Sequence, residues 1–315
     1  MSSNELKGFS HFGENLLDDQ IRANLISFLD WGFLNKGNFQ NVKIPASGIY
    51  GGNKETLQPY KDPRFPAGTV FQSFRSNWVW QSGLLTETQP IRPSGVYVNN
   101  TFYPSDTTGP YAHYIDYPRG RVVFNSPIST SSSVKVEYSH RFVNVLDANE
   151  VPFLREVQTN SFRLDSPAFR QLASGSYAVL PDSKIQMPFI GVEITSNIRF
   201  SPYCLGGGQI SETKVICHIM SDDEKIAKKI ATAIALQNEK TITTFDVNRI
   251  SENNLSPITY KGSIAPGALT HPQMTSQYEW KKLSIINMDG GDGMWMDSVY
   301  YIPMTFDAEV IVNNI

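Results

Sequence analysis

The chain has 315 residues, 27 Lys plus Arg against 30 Asp plus Glu, a formal net charge of -3, and 18% charged residues. That length suffices for two ordinary domains or one large β domain with a core that needs no covalent staples. The near balance of charge, without a block of like charges, argues against a basic face or a direct nucleic-acid partner, and two cysteines, Cys204 and Cys217, exclude a disulfide scaffold and a paired CxxC zinc cluster.

The N-terminal MSSNELKGFSHFGEN lacks the basic start and apolar stretch of a secretory signal. No apolar run approaches the roughly 20 residues of a membrane helix, so a soluble chain that starts in the cytoplasm is expected. The first element predicted is a helix over about Glu14 to Leu34, where Leu17, Ile21, Leu25, Phe28 and Leu29 recur on one side. Its stripe needs cover, either from the following domain or, as a docking arm, from another subunit.

From Asn41 to Asn144 short β-type runs alternate with breakers. Strands are expected at Val42 to Ile44, Thr69 to Phe74, Trp78 to Trp80, Gly95 to Val98, Tyr114 to Asp116, Arg121 to Phe124 and Val134 to Val145. Such a series reads as an antiparallel sandwich or small barrel. Ile115 to Phe124 is a hairpin candidate, because Pro118 presets a turn dihedral and Gly120 supplies one that other residues avoid.

Residues 149–180 read as a connector with a short helix near Ser166 to Leu172. Beyond it the pattern becomes α+β. Strands are predicted at Ile185 to Ile194 and Lys214 to Met220, a helix at Asp222 to Gln237, then strands at Thr241 to Val247, Leu283 to Met288, Met294 to Phe306 and Glu309 to Val312. Ser221-Asp-Asp-Glu224 has the form of a capping box, and Ile226, Ile230 and Ile234 follow at intervals of four. The expected fold class is therefore α+β and β-rich: an N-terminal helix, an antiparallel β-sandwich or barrel, then a domain with one main helix on an antiparallel sheet. The corresponding divisions are 1–40, 41–148, 149–180 and 181–315.

Few residues suggest chemistry. His218 with Asp222 and Asp223 is the nearest approach to a metal or acid–base cluster, but strand geometry and helix capping already account for all three. Cys217 beside His218 is no thiol–base pair, since strand neighbours point to opposite faces. Leu205-Gly-Gly-Gly208 lacks the strand-to-helix context of a phosphate loop, and Asp289-Gly-Gly-Asp-Gly293 reads as a hairpin turn and not a calcium loop. Trp78 and Trp80 share a strand face that could join a core, stack on sugar or anchor a protein partner. No metal, cofactor or catalytic residue is expected.

Three runs, Tyr97-Val-Asn-Asn-Thr-Phe-Tyr, Tyr114-Ile-Asp-Tyr-Pro-Arg-Gly-Arg-Val-Val-Phe124 and Val134-Lys-Val-Glu-Tyr-Ser-His-Arg-Phe142, resemble the β domain of tailed-bacteriophage virion structural proteins. Gln186 to Glu193, Lys214 to Met220, the capped helix and Thr244-Phe-Asp-Val-Asn248 are similar to the neck and tail-completion class, including tail-terminator-like proteins. The resemblance implies a non-enzymatic subunit, assembled in the host cytoplasm into the virion as a head–tail connector or terminator ring of about six copies. Its partners would be copies of itself and other neck and tail proteins, with no membrane and no sequence-specific nucleic acid. A baseplate or fibre-associated receptor- or carbohydrate-binding module is the alternative. Interface candidates are Leu17, Ile21, Leu25, Phe28, Trp78 and Trp80. Loops at Pro59 to Gly68, Leu205 to Ile210 and 248–282 are expected to order on assembly.

Overall fold

A computed structural model describes residues 11, 13–44, 54–151, 169–171, 177–179, 186–203, 208–296 and 299–312. The chain divides into two units. A β unit comprises Gly32–Val143 and Leu255–Thr270, and an α+β unit comprises Met1–Trp31, Asn144–Asn254 and His271–Ile315.

The periodic stripe at the N-terminus forms α1 (Leu17–Leu34), with Asp18 and Asp19 in its first turn, where the helix dipole favours negative charge. In the β unit follow β1 (Phe39–Val42), β2 (Thr56–Tyr60), β3 (Val70–Gln72), β4 (Gly95–Val98), β5 (Thr101–Pro104), β6 (His113–Asp116), β7 (Arg121–Phe124), β8 (Val134–Lys135) and β9 (Tyr138–Arg141). Seven of these form one antiparallel sheet in the order β5-β4-β8-β2-β3-β7-β6, and β1 pairs with β9. Leu57, Phe71, Val96, Val122, Phe124, Val134 and Tyr138 close over Trp78, which is fully buried and stacked on Tyr138 at 4.3 Å between ring centroids.

The predicted Ile115 to Phe124 hairpin forms, with Asp116 directly opposite Arg121. Gly120 is required at its corner: φ is +62°, and a Cβ there would overlap the Arg75 carbonyl oxygen. Asn99 and Asn100, both at positive φ, make the two-residue turn between β4 and β5, a conformation that asparagine tolerates better than most residues. Trp78 to Trp80 is not a regular strand; Trp78 makes an isolated bridge to His140. The two strands without a sequence signal, β2 and β5, both contain proline, which reads as a strand breaker.

The α+β unit contains β10 (Asn144–Asp147), β13 (Phe189–Pro202), β14 (Gln209–Ser221), α2 (Glu224–Ala235), β15 (Lys240–Phe245), α3 (Val247–Glu252), α4 (His271–Gln277), β16 (Glu279–Gly290), β17 (Met294–Met296) and β18 (Val299–Val312). A separate short pair, β11 (Phe169–Gln171) with β12 (Tyr177–Val179), precedes β13. The main sheet runs β10-β13-β14-β18-β16-β15, with β17 also on β18. Its pairs are antiparallel except for β10 with β13.

Helix α2 lies on this sheet through Ala227, Ile230 and Ile234, over the buried row Val215, Cys217 and Ile219 of β14 and Ile302, Met304 and Phe306 of β18. Burying each isoleucine contributes about 1.5–3 kcal/mol. The cap sits two residues later than the capping box implies. Asp223 accepts from the Lys225 and Ile226 amides, while Ser221 accepts from the Asp223 amide.

Several sequence expectations are corrected. Phe169–Gln171, inside the predicted short helix, is strand; the rest of that prediction and most of the 149–180 connector lie outside the described residues. Of the two predicted C-terminal strands, Met294 to Phe306 divides into β17 and the first part of β18, and Glu309 to Val312 continues β18, whose alternating burial runs without a break from Tyr300 to Val310. The 248–282 stretch is not a structureless loop. It holds α3, α4 and an Ile258–Ile264 bridge, and Leu255–Thr270 belongs to the β unit. The Asp289–Gly293 run is not a hairpin turn: β16 and β17 both pair with β18, so the glycines carry the chain onward along one edge. A Cβ at Gly291 would press on Pro303, and one at Gly293 on Tyr300, which explains glycine at both.

Candidate interaction surfaces

Helix α1 is docked within the α+β unit. Ile21 and Leu25 are fully buried, and Leu17 and Phe28 half-buried. Between them two amides engage the end of β15. Asn24 donates to the Phe245 carbonyl at 2.9 Å and accepts from the Phe245 amide at 2.8 Å, so one side chain satisfies both backbone groups of an edge residue. Gln20 donates to Asp246 at 3.0 Å and accepts from the Val247 amide at 2.9 Å. Of the two sequence readings of this helix, the described contacts are those of intramolecular packing. The amide pegs explain why polar residues interrupt its apolar stripe.

The tryptophan row is not a surface. Trp78 is fully buried, with its indole N–H donating to Ser73 at 3.2 Å and to the Arg75 carbonyl at 3.1 Å, and Trp80 is half-buried against the same core. Trp295, in the other unit, is 53% exposed and meets Tyr300 edge-on.

His218 does not join Asp222 and Asp223. It lies on β14 between Glu193 of β13 and Tyr301 of β18, with Nε2 2.6 Å from the Glu193 carboxylate and Nδ1 2.8 Å from the Tyr301 hydroxyl. A neutral ring satisfies both contacts by donating from Nε2 to the carboxylate and accepting from the tyrosine. Burial pushes the Tyr301 phenol above its ordinary range, which keeps its proton available for that bond. Cys217, on the opposite strand face, is fully buried, and its thiol is pushed up to about 12 by burial, far from reactive thiolate chemistry. Cys204 and most of the Leu205–Gly208 run lie outside the described residues. Among the described residues no group of three or more His, Cys, Asp and Glu could hold a metal ion.

A charged network missed by sequence reading lies in the β unit. Arg121 is 1% exposed, with Nη1 3.1 Å from Asp62 and Nε 3.2 Å from Asp116. Asp62 also accepts from Arg64 at 2.6 Å, and Asp116 from Arg119 at 3.2 Å. The hydrogen bond from Arg64 outweighs burial and holds the Asp62 carboxyl down at about 2. The turn around Gly262 closes over this network. Ser263 donates to the Ile115 carbonyl at 2.7 Å, the Tyr117 amide donates to the Gly262 carbonyl at 3.0 Å, and a Cβ at Gly262 would collide with Asp116. Asp116 and Arg121 are the acidic and second basic residues of the Ile115-Asp-Tyr-Pro-Arg-Gly-Arg121 run, so their spacing across a hairpin was the available signal.

Two open clefts lie among the described residues. One, of about 660 Å³, runs over β2 and β3 beside Lys54, Gln58, Tyr60, Gln72 and Phe74. The other, of about 550 Å³, lies between α2 and the glycine-bearing end of β16, beside Lys228, Thr232, Asp292 and Tyr300. No helix of the described residues is long and apolar enough to cross a membrane. No known family model matches the chain, and no curated protein matches it.

Proposed function

We propose that this chain is a non-enzymatic structural subunit of a tailed-phage virion, forming a ring at the head–tail neck or the tail end through protein–protein contacts. The observation that carries this reading is the second face of the α+β sheet. Along β18, Tyr301, Pro303, Thr305, Asp307 and Glu309 are half-buried and Ile311 is exposed, while the alternate residues from Tyr300 to Val310 are buried on the face that carries α2. Across the sheet Ile210, Glu212 and Ile216 of β14, in register with Ile311, Glu309 and Thr305, lie half-buried on the same face. The Tyr301-to-Thr305 part of this face mixes apolar and neutral polar groups and is inexpensive to desolvate against a partner, whereas Asp307 and Glu309 require cations opposite them. Head-to-tail contacts that complete a rotation close into rings. The sequence resemblance supports the particle and a ring of about six copies.

The test is mass measurement by light scattering together with negative-stain imaging of purified protein and particles. Rings, and the chain present in virions, are expected; a strict monomer absent from particles would sink the reading. A glycan-binding baseplate or fibre module no longer draws on Trp78, and the observation favouring it is the β2–β3 cleft with Tyr60 and Phe74 at hand. Glycan-array binding lost in Phe74→Ala would move the assignment to that reading.

A further inference from the structure

The clustered cations that the linear sequence lacks are assembled by the fold of the β unit. Arg64, Arg119 and Arg121 share the carboxylates of Asp62 and Asp116, and Lys261 stands on the adjoining turn, so these named groups comprise four cations and two anions in a chain whose total is negative. Arg121 is buried as the centre of the network, whereas the Arg64 and Arg119 side chains are 56% and 41% exposed. Beside them the turn at Tyr260-Lys261-Gly262 is fixed by its own hydrogen bonds, from the Gly262 amide to Thr259 and from the Thr259 amide to Ser263, and by the clamps onto Ile115 and Tyr117.

That turn holds Tyr260 91% exposed, an unusual place for a large aromatic ring on a turn so tightly secured. The Lys261 ammonium lies 5.3 Å from the Tyr114 ring centroid and 5.8 Å from that of Tyr260. The surface thus offers a flat aromatic platform, a flexible cation against it and two exposed guanidiniums on a positive base. Carboxylates of an acidic peptide would use the cations and leave the ring idle. A single-stranded polynucleotide uses both, phosphates on the cations and a base on the ring. We propose that the Tyr260–Lys261 corner is a sequence-independent binding site for single-stranded nucleic acid, with Tyr260 stacking on a base and Arg64, Arg119 and Lys261 contacting phosphates.

The test is fluorescence anisotropy of a labelled oligothymidylate with the full chain, titrated at several salt concentrations. Binding that weakens steeply with salt is expected, with Lys261→Ala lowering the salt slope by about one phosphate contact. Tyr260→Ala should weaken binding about ten-fold at constant salt, and Tyr260→Phe should restore it, since only the ring is needed. Both residues are exposed, so circular dichroism should show each variant folded. No binding at low salt overturns the proposal, as does binding unchanged in Tyr260→Ala and Lys261→Ala. A polyglutamate peptide that competes fully, with no sensitivity to Tyr260, would also overturn it and mark an acidic protein surface as the partner. Ring formation is measured separately, so failure here leaves the assembly reading standing.

Discussion

The two units bury polarity in different ways. The β unit encloses charge, with Arg121 held between Asp62 and Asp116, while the α+β unit encloses neutral amides, with Asn24 and Gln20 of α1 pegged onto the end of β15. An enclosed charge must keep its partners, because an ion left alone in a low-dielectric interior costs several kcal/mol. An enclosed amide costs less to strand, and its bonds do not respond to salt or to a carboxylate's protonation. The first arrangement also projects an electrostatic field to the surface, and the second only fixes the position of a helix.

The largest expected effect tests the charged arrangement. Arg121→Ala should destabilise the β unit by about 3–5 kcal/mol in denaturant unfolding, because two buried carboxylates lose their shared cation. A loss under 1 kcal/mol would mean that Arg64 and Arg119 suffice. Next, His271 in the α+β unit packs edge-on against Phe245, and burial pulls it down from 6.5 to about 4. Since the folded state resists its protonation, the stability it confers is complete above about pH 6.5 and is lost as pH falls towards 4, amounting to about 3 kcal/mol. His271→Gln should flatten that part of the stability curve; an unchanged slope would show that other groups titrate there.

Asp62 behaves oppositely in position though not in sign. With its folded value lowered to about 2 from 3.8, its contribution persists through that window and is lost only as pH falls from about 4 to 2. The corresponding test of the amide seam is Asn24→Ala, expected to cost about 2–3 kcal/mol by orphaning the amide and carbonyl of Phe245, with a salt dependence no different from the native chain. Hydrogen exchange at Phe245 reports it directly, and continued protection would show that another group covers that edge. The smallest effect is Asp223→Ala, which removes the cap of α2 and should cost about 1 kcal/mol while leaving the β unit unaffected.

Legibility followed the range of the interactions. Helix α2 was readable because its cap and its Ile226, Ile230, Ile234 spacing lie within one short segment, and the β6–β7 hairpin because Pro118 and Gly120 dictate the turn. The short strands β2 and β5 were hidden by Pro59 and Pro104, which a sheet accepts at particular positions that composition does not reveal. Trp78 and Trp80 looked like a strand face, but the chain there makes only one bridge and folds the first ring inward onto Tyr138.

By itself the sequence determined the fold class, the two main helices and the Pro118–Gly120 hairpin turn, since those depend on dihedral preferences and on neighbours a few residues apart. Only the tertiary structure decided which polar groups meet. Asn24 reaches Phe245 across 221 positions, and Arg121 reaches Asp62 across 59. The same convergence gathers Arg64, the Arg119–Arg121 hairpin and Lys261, cations drawn from three separate stretches of the chain. Such encounters depend on strand order and register, which set side chains side by side irrespective of their distance in sequence.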